Sequence, residues 1–363
     1  MLTRHRTIGR KVCMVVVASV TVVGAGCSTP PPDPAPDPAS RAVCFSPQAP
    51  RQWTGPQTAL PRGLTLGVHA VADEVVFGQT QDTKGRGLAA LDLRSGNLAT
   101  IARYATDVSG LGAMSVEQPW VVWEQLDSKT NLADWSVRAI NRLTGENIRI
   151  ADSRGPDGGF VPGQQPLPVV RHGLVAWAQP VRASGTAVHA DLKVYDLSTR
   201  VARTLDSGRL SSPVYAGGLL VWAKVDDDRR YSLNAVDDAT LQPVELPEPI
   251  RRPASVAYLG GSQDRLVWST EDSLTLEQWT FATSKLTRFT VADHRHIFQF
   301  LQVAGDFLLW DGGTTASVLD LTTGAAFDSA GTVAGSAQWI VTAQPDRVTR
   351  MATAQLPHLS CAV

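Results

Sequence analysis

Three groups of residues in this 363-residue chain have the types and spacing to do chemistry. Cys27, Cys44 and Cys361 carry thiols that can be acylated or oxidised. His294-Arg295-His296 puts two imidazoles on one face of an extended segment, where they could ligate a metal. The nearest further ligand, Asp293, points to the other face, so a polar loop or strand edge is the better reading. Asp226-Asp227-Asp228-Arg229-Arg230 could draw Ca²⁺ to three carboxylates. It lacks the alternating Asp and Gly spacing of a calcium loop, and its two arginines neutralise it. A solvated hairpin tip between Val225 and Tyr231 fits better.

No nucleophile-elbow, zinc-protease or phosphate-loop pattern occurs. Gly85-Arg86-Gly87 resembles the start of a dinucleotide fingerprint, but a strand pattern follows it rather than a helix. No catalytic, cofactor or metal residue is therefore assigned, and no cofactor is expected.

Composition narrows the classes. With 43% hydrophobic and 18% charged residues, the chain has ample apolar material for a core, which excludes a largely disordered protein. A formal net charge of -1 carries no sign of a nucleic-acid partner.

Residues 1–26 read as an export signal. Arg4, Arg6, Arg10 and Lys11 precede the apolar run Val12–Val23, and no acid is present. The run is too short to span a bilayer comfortably, which takes about 20 residues. Val23-Gly24-Ala25-Gly26-Cys27 resembles a bacterial lipobox, which implies that Cys27 becomes the lipidated first residue. Removal of the signal leaves 29 Lys+Arg against 34 Asp+Glu, a formal net charge of -5. The expected boundaries are a signal at 1–26, a lipidated, disordered Pro-rich tether at 27–50 and a folded domain at 51–363.

The tether begins Ser28-Thr29-Pro30-Pro31-Pro32-Asp33-Pro34-Ala35-Pro36-Asp37-Pro38, which favours extended polyproline II. Residues 28–43 would reach roughly 50 Å at about 3.1 Å per residue. Cys13 leaves with the signal and Cys27 takes lipid. Cys44 and Cys361 remain as an even pair in an oxidising compartment. A bridge between them requires the two ends of the folded domain to meet.

The elements that must position all of this repeat along the chain. Aliphatic runs ending in an aromatic recur at Val75-Val76-Phe77, Val121-Val122-Trp123 and Val175-Ala176-Trp177. Further copies are Leu220-Val221-Trp222, Leu266-Val267-Trp268 and Leu308-Leu309-Trp310, with a weaker one at Ile340-Val341-Thr342. Tight-turn patterns follow the first six, such as Leu91-Asp92-Leu93-Arg94-Ser95-Gly96 and Leu319-Asp320-Leu321-Thr322-Thr323-Gly324. Asp or Asn orders such a turn and Gly supplies its positive φ. Each unit is about four short strands, and such a sheet must stack on its neighbours.

An all-β propeller follows, with seven four-stranded blades expected and six or eight as alternatives. The short last repeat would borrow a strand from residues near 45–60, with the Cys44–Cys361 bridge stapling that closure. The recurring tryptophans are expected to pack between blades, with Phe77 taking their place in the first. Trp53, Trp120, Trp135 and Trp339 fall outside the register and are better candidates for the surface.

Over the mature domain the chain resembles the TolB-like and quinoprotein-like β-propellers of actinobacterial-type lipoproteins. The blade tryptophan that follows the turn in quinoproteins is missing, which argues against a quinone cofactor. Two functions fit. One is a membrane-anchored, extracytoplasmic scaffold without catalysis that binds a protein or cell-envelope component. The other is a glycan-active hydrolase or lyase with acids in the propeller funnel. Carboxylates converging on one mouth would favour the second.

The mature chain should partition with membranes into detergent, because two acyl chains give stable anchoring at about 0.8 kcal/mol per buried CH₂. Cys27→Ala is expected to leave the chain unprocessed or release it, read by fractionation and immunoblotting. Unchanged membrane association of a correctly cleaved variant would count against the anchor.

Overall fold

The computed structural model describes residues 39–361, apart from 47–48, 51–52, 84, 105–109, 129, 132, 156, 182–188, 293–295 and 312–315. The signal, Cys27 and the first part of the tether lie outside the described residues.

Alternating apolar residues and turn chemistry produce antiparallel hairpins throughout. Seven groups of four strands follow one another in the described chain. In order they occupy 65–103, 110–152, 169–210, 214–244, 259–290 and 302–328, and the last is built from 332–352 with Gln57–Ala59. The third and fourth are joined into one sheet by Arg209↔Val225 and Leu210↔Lys224. The expected borrowed strand is thus present: Gln57–Ala59 pairs antiparallel with Arg347–Thr349.

Turn residues behave as their chemistry demands. Asp92, Asn141, Asp196, Asp237 and Asp320 each accept two backbone N–H groups, two and three residues on, through Oδ1. The Ser198 hydroxyl, with the amides, holds the Asp196 carboxyl down at about 2. The residue closing each of these five turns has positive φ, at Gly96, Gly145, Arg200, Leu241 and Gly324, and Ser284 does the same in the fifth group, where Thr280 stands in place of the Asp.

The core is not one mass but seven clusters, one between each consecutive pair of groups. Phe77, Leu88 and Trp123 fill the first–second contact, and Val122, Trp135 and Trp177 the second–third. Leu192 with Trp222, Leu233 with Trp268, and Phe289 with Trp310 fill the next three. Phe307, Phe327 and Ile340 sit between sixth and seventh, and Val76, Leu91 and Val341 between seventh and first. The first strands of the groups follow the same cycle. Each contacts the first strand of the next, and Thr332–Gly335 returns to Thr65–Ala72.

Charged clamps repeat the pattern on the surface. Arg350 and Arg94 both reach Glu74, Arg200 reaches Glu146, and Arg265 reaches Asp306. Arg142 and Arg200 also lie over the rings of Phe77 and Trp120.

Four expectations need correction. Residues 39–46 are not tether: β1 (Ala39–Ala42) and β2 (Cys44–Ser46) add in parallel to the outer edges of the fifth and sixth groups. The disulfide therefore joins the sixth group's edge to the tail after the seventh, rather than closing the last group alone. Phe77 is not the counterpart of the tryptophans. It pairs with Ala90, as Val122 does with Ala139, so Gly78 holds the tryptophan position and Phe77 faces the following group. Trp53 and Trp135 are buried, at 6% and 2% exposure, because Trp53 fills the sixth–seventh contact and Trp135 the second–third.

Ser284 is exposed at a turn where φ is 50°. Ser284→Gly is expected to raise stability by about 1 kcal/mol, since the left-handed conformation costs an L-residue roughly that much. A lower thermal midpoint for the variant would contradict this reading of the turn.

Candidate functional site

Cys44 and Cys361 are bonded, with Cα atoms 5.7 Å apart. Residues 293–295 lie outside the described chain. His296 is described: its Nε2 is 3.1 Å from Asp328 Oδ2, and its ring stacks on Phe45 at 3.8 Å. The imidazole thus meets a carboxylate and an aromatic face. The Asp226–Arg230 turn is self-neutralised, because Arg230 contacts both Asp226 and Asp228. Among the described residues, no group of three or more His, Cys, Asp and Glu could hold a metal ion.

One rim gathers charge from four groups. In each sheet the first and third hairpin turns share an end, so the inner-strand ends and the Asp-ordered turns meet there. Arg171 Nε stands 2.9 Å from Asp238 Oδ2, and Arg171 Nη2 donates to Gln263 Oε1 at 2.9 Å. His172 Nε2 lies 3.4 Å from Asp238 Oδ1. Glu117 Oε2 accepts the Gly173 N–H at 3.0 Å, and the Tyr215 hydroxyl donates to the Leu174 carbonyl at 3.2 Å. Burial pushes the Tyr215 phenol up, and the negative charges of Asp238 and Glu117 push it the same way. Asp238 and Glu117 in this cluster are thus each held by a neighbouring group.

A second constellation lies deeper, where two inner strands bulge. The ladder slips at Val68/Ala70 in the first group and at Leu111/Met114 in the second. Bulges re-aim side chains and open backbone groups to them. His69, the residue left over in the first bulge, hydrogen-bonds the Gly112 backbone. Gln79 Oε1 accepts the Leu111 N–H at 2.8 Å. Glu124, fully buried, turns Oε2 toward the Ala113 N–H at 3.4 Å, while Oε1 has no partner. A Cβ at Gly112 would meet the Glu124 carboxylate at 2.4 Å, so any larger residue there would have to displace that side chain.

Burial moves these two groups in opposite directions. It lowers the His69 imidazole to about 4, opposed by the bond to Gly112. It raises the Glu124 carboxyl to about 7, opposed by the Ala113 N–H. Both groups are therefore poised to be neutral, His69 near neutral pH and Glu124 below it. The pair resembles the separated pKa values of acid–base sites, but Glu124 has no exposed surface with which to meet a substrate.

No protein-family model matches the chain, and no curated protein matches it. Solved structures do. A prolyl endopeptidase matches with TM-score 0.52 at 12% identity, over 82% of this chain and 48% of that one. The chain thus spans about half the length of that endopeptidase. AztD from Citrobacter koseri matches with TM-score 0.45 at 10% identity, over 82% and 85% of the two chains. TolB from Acinetobacter baumannii matches with TM-score 0.40 at 11% identity, over 80% and 63%. At these identities the likeness concerns fold alone. The chain is an all-β protein with propeller-fold neighbours.

The sequence reading missed His69 and Glu124. A signal for Glu124 existed: it stands one residue after its tryptophan, in register with the small Ala178, Ala223 and Ser269, and Asp311 is the one other acid at this position. Nothing local marks His69, because a bulge is a property of pairing.

The pKa directions give opposite pH dependences. Glu124 is raised in the fold, so its contribution is complete below its ordinary 4.5 and is lost as pH rises to about 7. His69 is lowered, so its contribution is complete above 6.5 and is lost as pH falls to about 4. Each difference is on the order of 3 kcal/mol. Relative to the parent chain, Glu124→Gln should gain stability as pH rises from 4.5 to 7, and His69→Gln should gain as pH falls from 6.5 to 4. Urea midpoints between pH 4 and 8 test this, and parallel profiles for all three chains would contradict it.

Proposed function

We propose that the seven groups are the blades of a closed seven-bladed β-propeller. In this reading it is exported, lipid-anchored through Cys27 on the extracytoplasmic face of the cell membrane, and binds a protein or envelope component without catalysis. The blade count is supported by the cycle of seven apolar clusters. Export and anchoring are supported by the signal, the lipobox-like Val23–Cys27 and a disulfide suited to an oxidising compartment.

The observation that carries the binding role is the engagement of Asp238 and Glu117 within the rim cluster. A glycosidase needs two carboxyl groups free to act on opposite sides of the scissile bond. At this rim Asp238 is engaged by Arg171 and His172, and Glu117 by the Gly173 amide. Fixed, mutually neutralised polar groups on strand ends make a rigid recognition surface rather than a reactive one. Glu124, the raised acid, is sealed from substrate. These engagements support the binding reading over the glycan-active alternative.

Site-specific photo-crosslinking in intact envelopes tests the role. A reactive residue at position 172 is expected to give a discrete adduct, which Arg171→Glu removes. Position 227, on the opposite rim, is expected to give none. Absence of an adduct at 172, or glycan cleavage that Glu124→Gln abolishes, would overturn the proposal.

A further inference from the structure

A cavity of about 360 Å³ opens beside the disulfide, between the end of β2 and the C-terminal tail. Its lining is mixed: Pro50, Trp53, Phe327 and Pro357 contribute apolar groups, and Ser46 and Ser360 polar ones. That size and lining suit a small-molecule site, where a few placed polar groups fix orientation. His358 is the titratable side chain of the lining.

What stands behind His358 separates this cavity from a gap between loops. Asp320 is fully buried and accepts four donors. Oδ1 takes the Thr322 and Thr323 amides at 2.7 and 3.2 Å. Oδ2 takes the Leu359 amide at 2.9 Å, and His358 Nδ1 lies 2.9 Å away. The three amides are donors only, and the carboxylate accepts only, so the imidazole must present Nδ1–H to it. In the neutral ring Nε2 is then a hydrogen-bond acceptor. The other Asp-ordered turns lack this arrangement: Asp92, Asn141 and Asp237 are partly exposed and order their own turn.

We propose that this cavity binds a small, largely apolar molecule carrying a hydroxyl, with its body between Pro50 and Pro357 and the hydroxyl donating to Nε2 of the neutral His358 ring. An acceptor imidazole matches a donor, and walls of proline, tryptophan and phenylalanine favour an uncharged body. Asp320 is a positioning residue in this site, since it reaches the ligand only through His358. The site is separate from the rim and does not depend on the role proposed for it.

The probe is p-cresol, titrated into the oxidised mature chain labelled with ¹⁵N-histidine. The His358 Nε2 resonance is expected to shift saturably, with Kd in the millimolar range. Toluene should bind roughly five- to tenfold more weakly, the worth of one hydrogen bond. His358→Gln should weaken p-cresol to the level of toluene. Ser360→Trp, a bulky substitution at an exposed position on the lip, should abolish binding while leaving the thermal midpoint unchanged. An unmoved His358 resonance at tens of millimolar p-cresol would overturn the proposal. So would equal affinity for toluene, or unaltered binding in Ser360→Trp.

Discussion

Each sheet in this protein is apolar on both faces, and everything else follows from that. Along 121–123, Val121 and Trp123 face one neighbour while Val122 faces the other. A two-faced sheet is stable only when covered twice. A linear stack would leave its first and last sheets half bare. Here the last cluster, with Val341 and Val348 against Val76 and Leu91, covers both at once. The cycle closes by packing, not by a continuous ladder of hydrogen bonds. That leaves the inner edge of each sheet with backbone donors to satisfy. Side chains from the preceding group in the cycle do so: Thr332 accepts from Val68, Ser115 from Val170 and Gln302 from Gly335.

The chain ends gather where the repeat is weakest. Gly78 and Thr342 hold the tryptophan position in the first and seventh groups, so the sixth–seventh contact receives no indole from its own strands. Trp53 supplies one from the N-terminal segment, edge-on to Phe307 and Phe327 at 4.8 and 4.9 Å. Its indole N–H donates to the Pro357 carbonyl, which draws the C-terminal tail onto the same spot. Asp320 then fixes His358 and Leu359, and the disulfide closes the region. Four unlike interactions thus converge on one seam. The bridge is the covalent part of a closure that non-covalent contacts also specify.

The same contrast explains what was legible in the sequence. Aliphatic alternation and Asp-ordered turns are local, so the strands and their repeat could be read from residues a few positions apart. The five buried tryptophans followed from their register. Register itself was less secure. Phe77 ends an aliphatic run as Trp123 does, and only the pairing with Ala90 reveals that it faces the other way. β1 and β2 escaped notice for a different reason. Their sequences, ASRA and CFS, carry little strand pattern, and their partners lie about 250 to 280 residues away in a parallel arrangement. The bulges that create the His69–Glu124 constellation belong to the same class: they arise between strands, not within them.

Magnitudes show why indoles hold the contacts even where their polar atom goes unmet. Trp177 Nε1 reaches Gln179, and Trp222 Nε1 reaches Asp206, each at 2.9 Å. Trp123, Trp268 and Trp310 are as deeply buried, yet their Nε1 atoms have no partner. An unpaired buried donor costs about 1–3 kcal/mol. Removing an indole's 150–250 Å² from water returns about 4–6 kcal/mol. Burial wins at all five positions, so the aromatic is retained whether or not the neighbouring group can offer an acceptor. A partner at two of five sites is then an adjustment to local sequence. The contact between groups depends on the area of the ring, and the cycle depends on that contact.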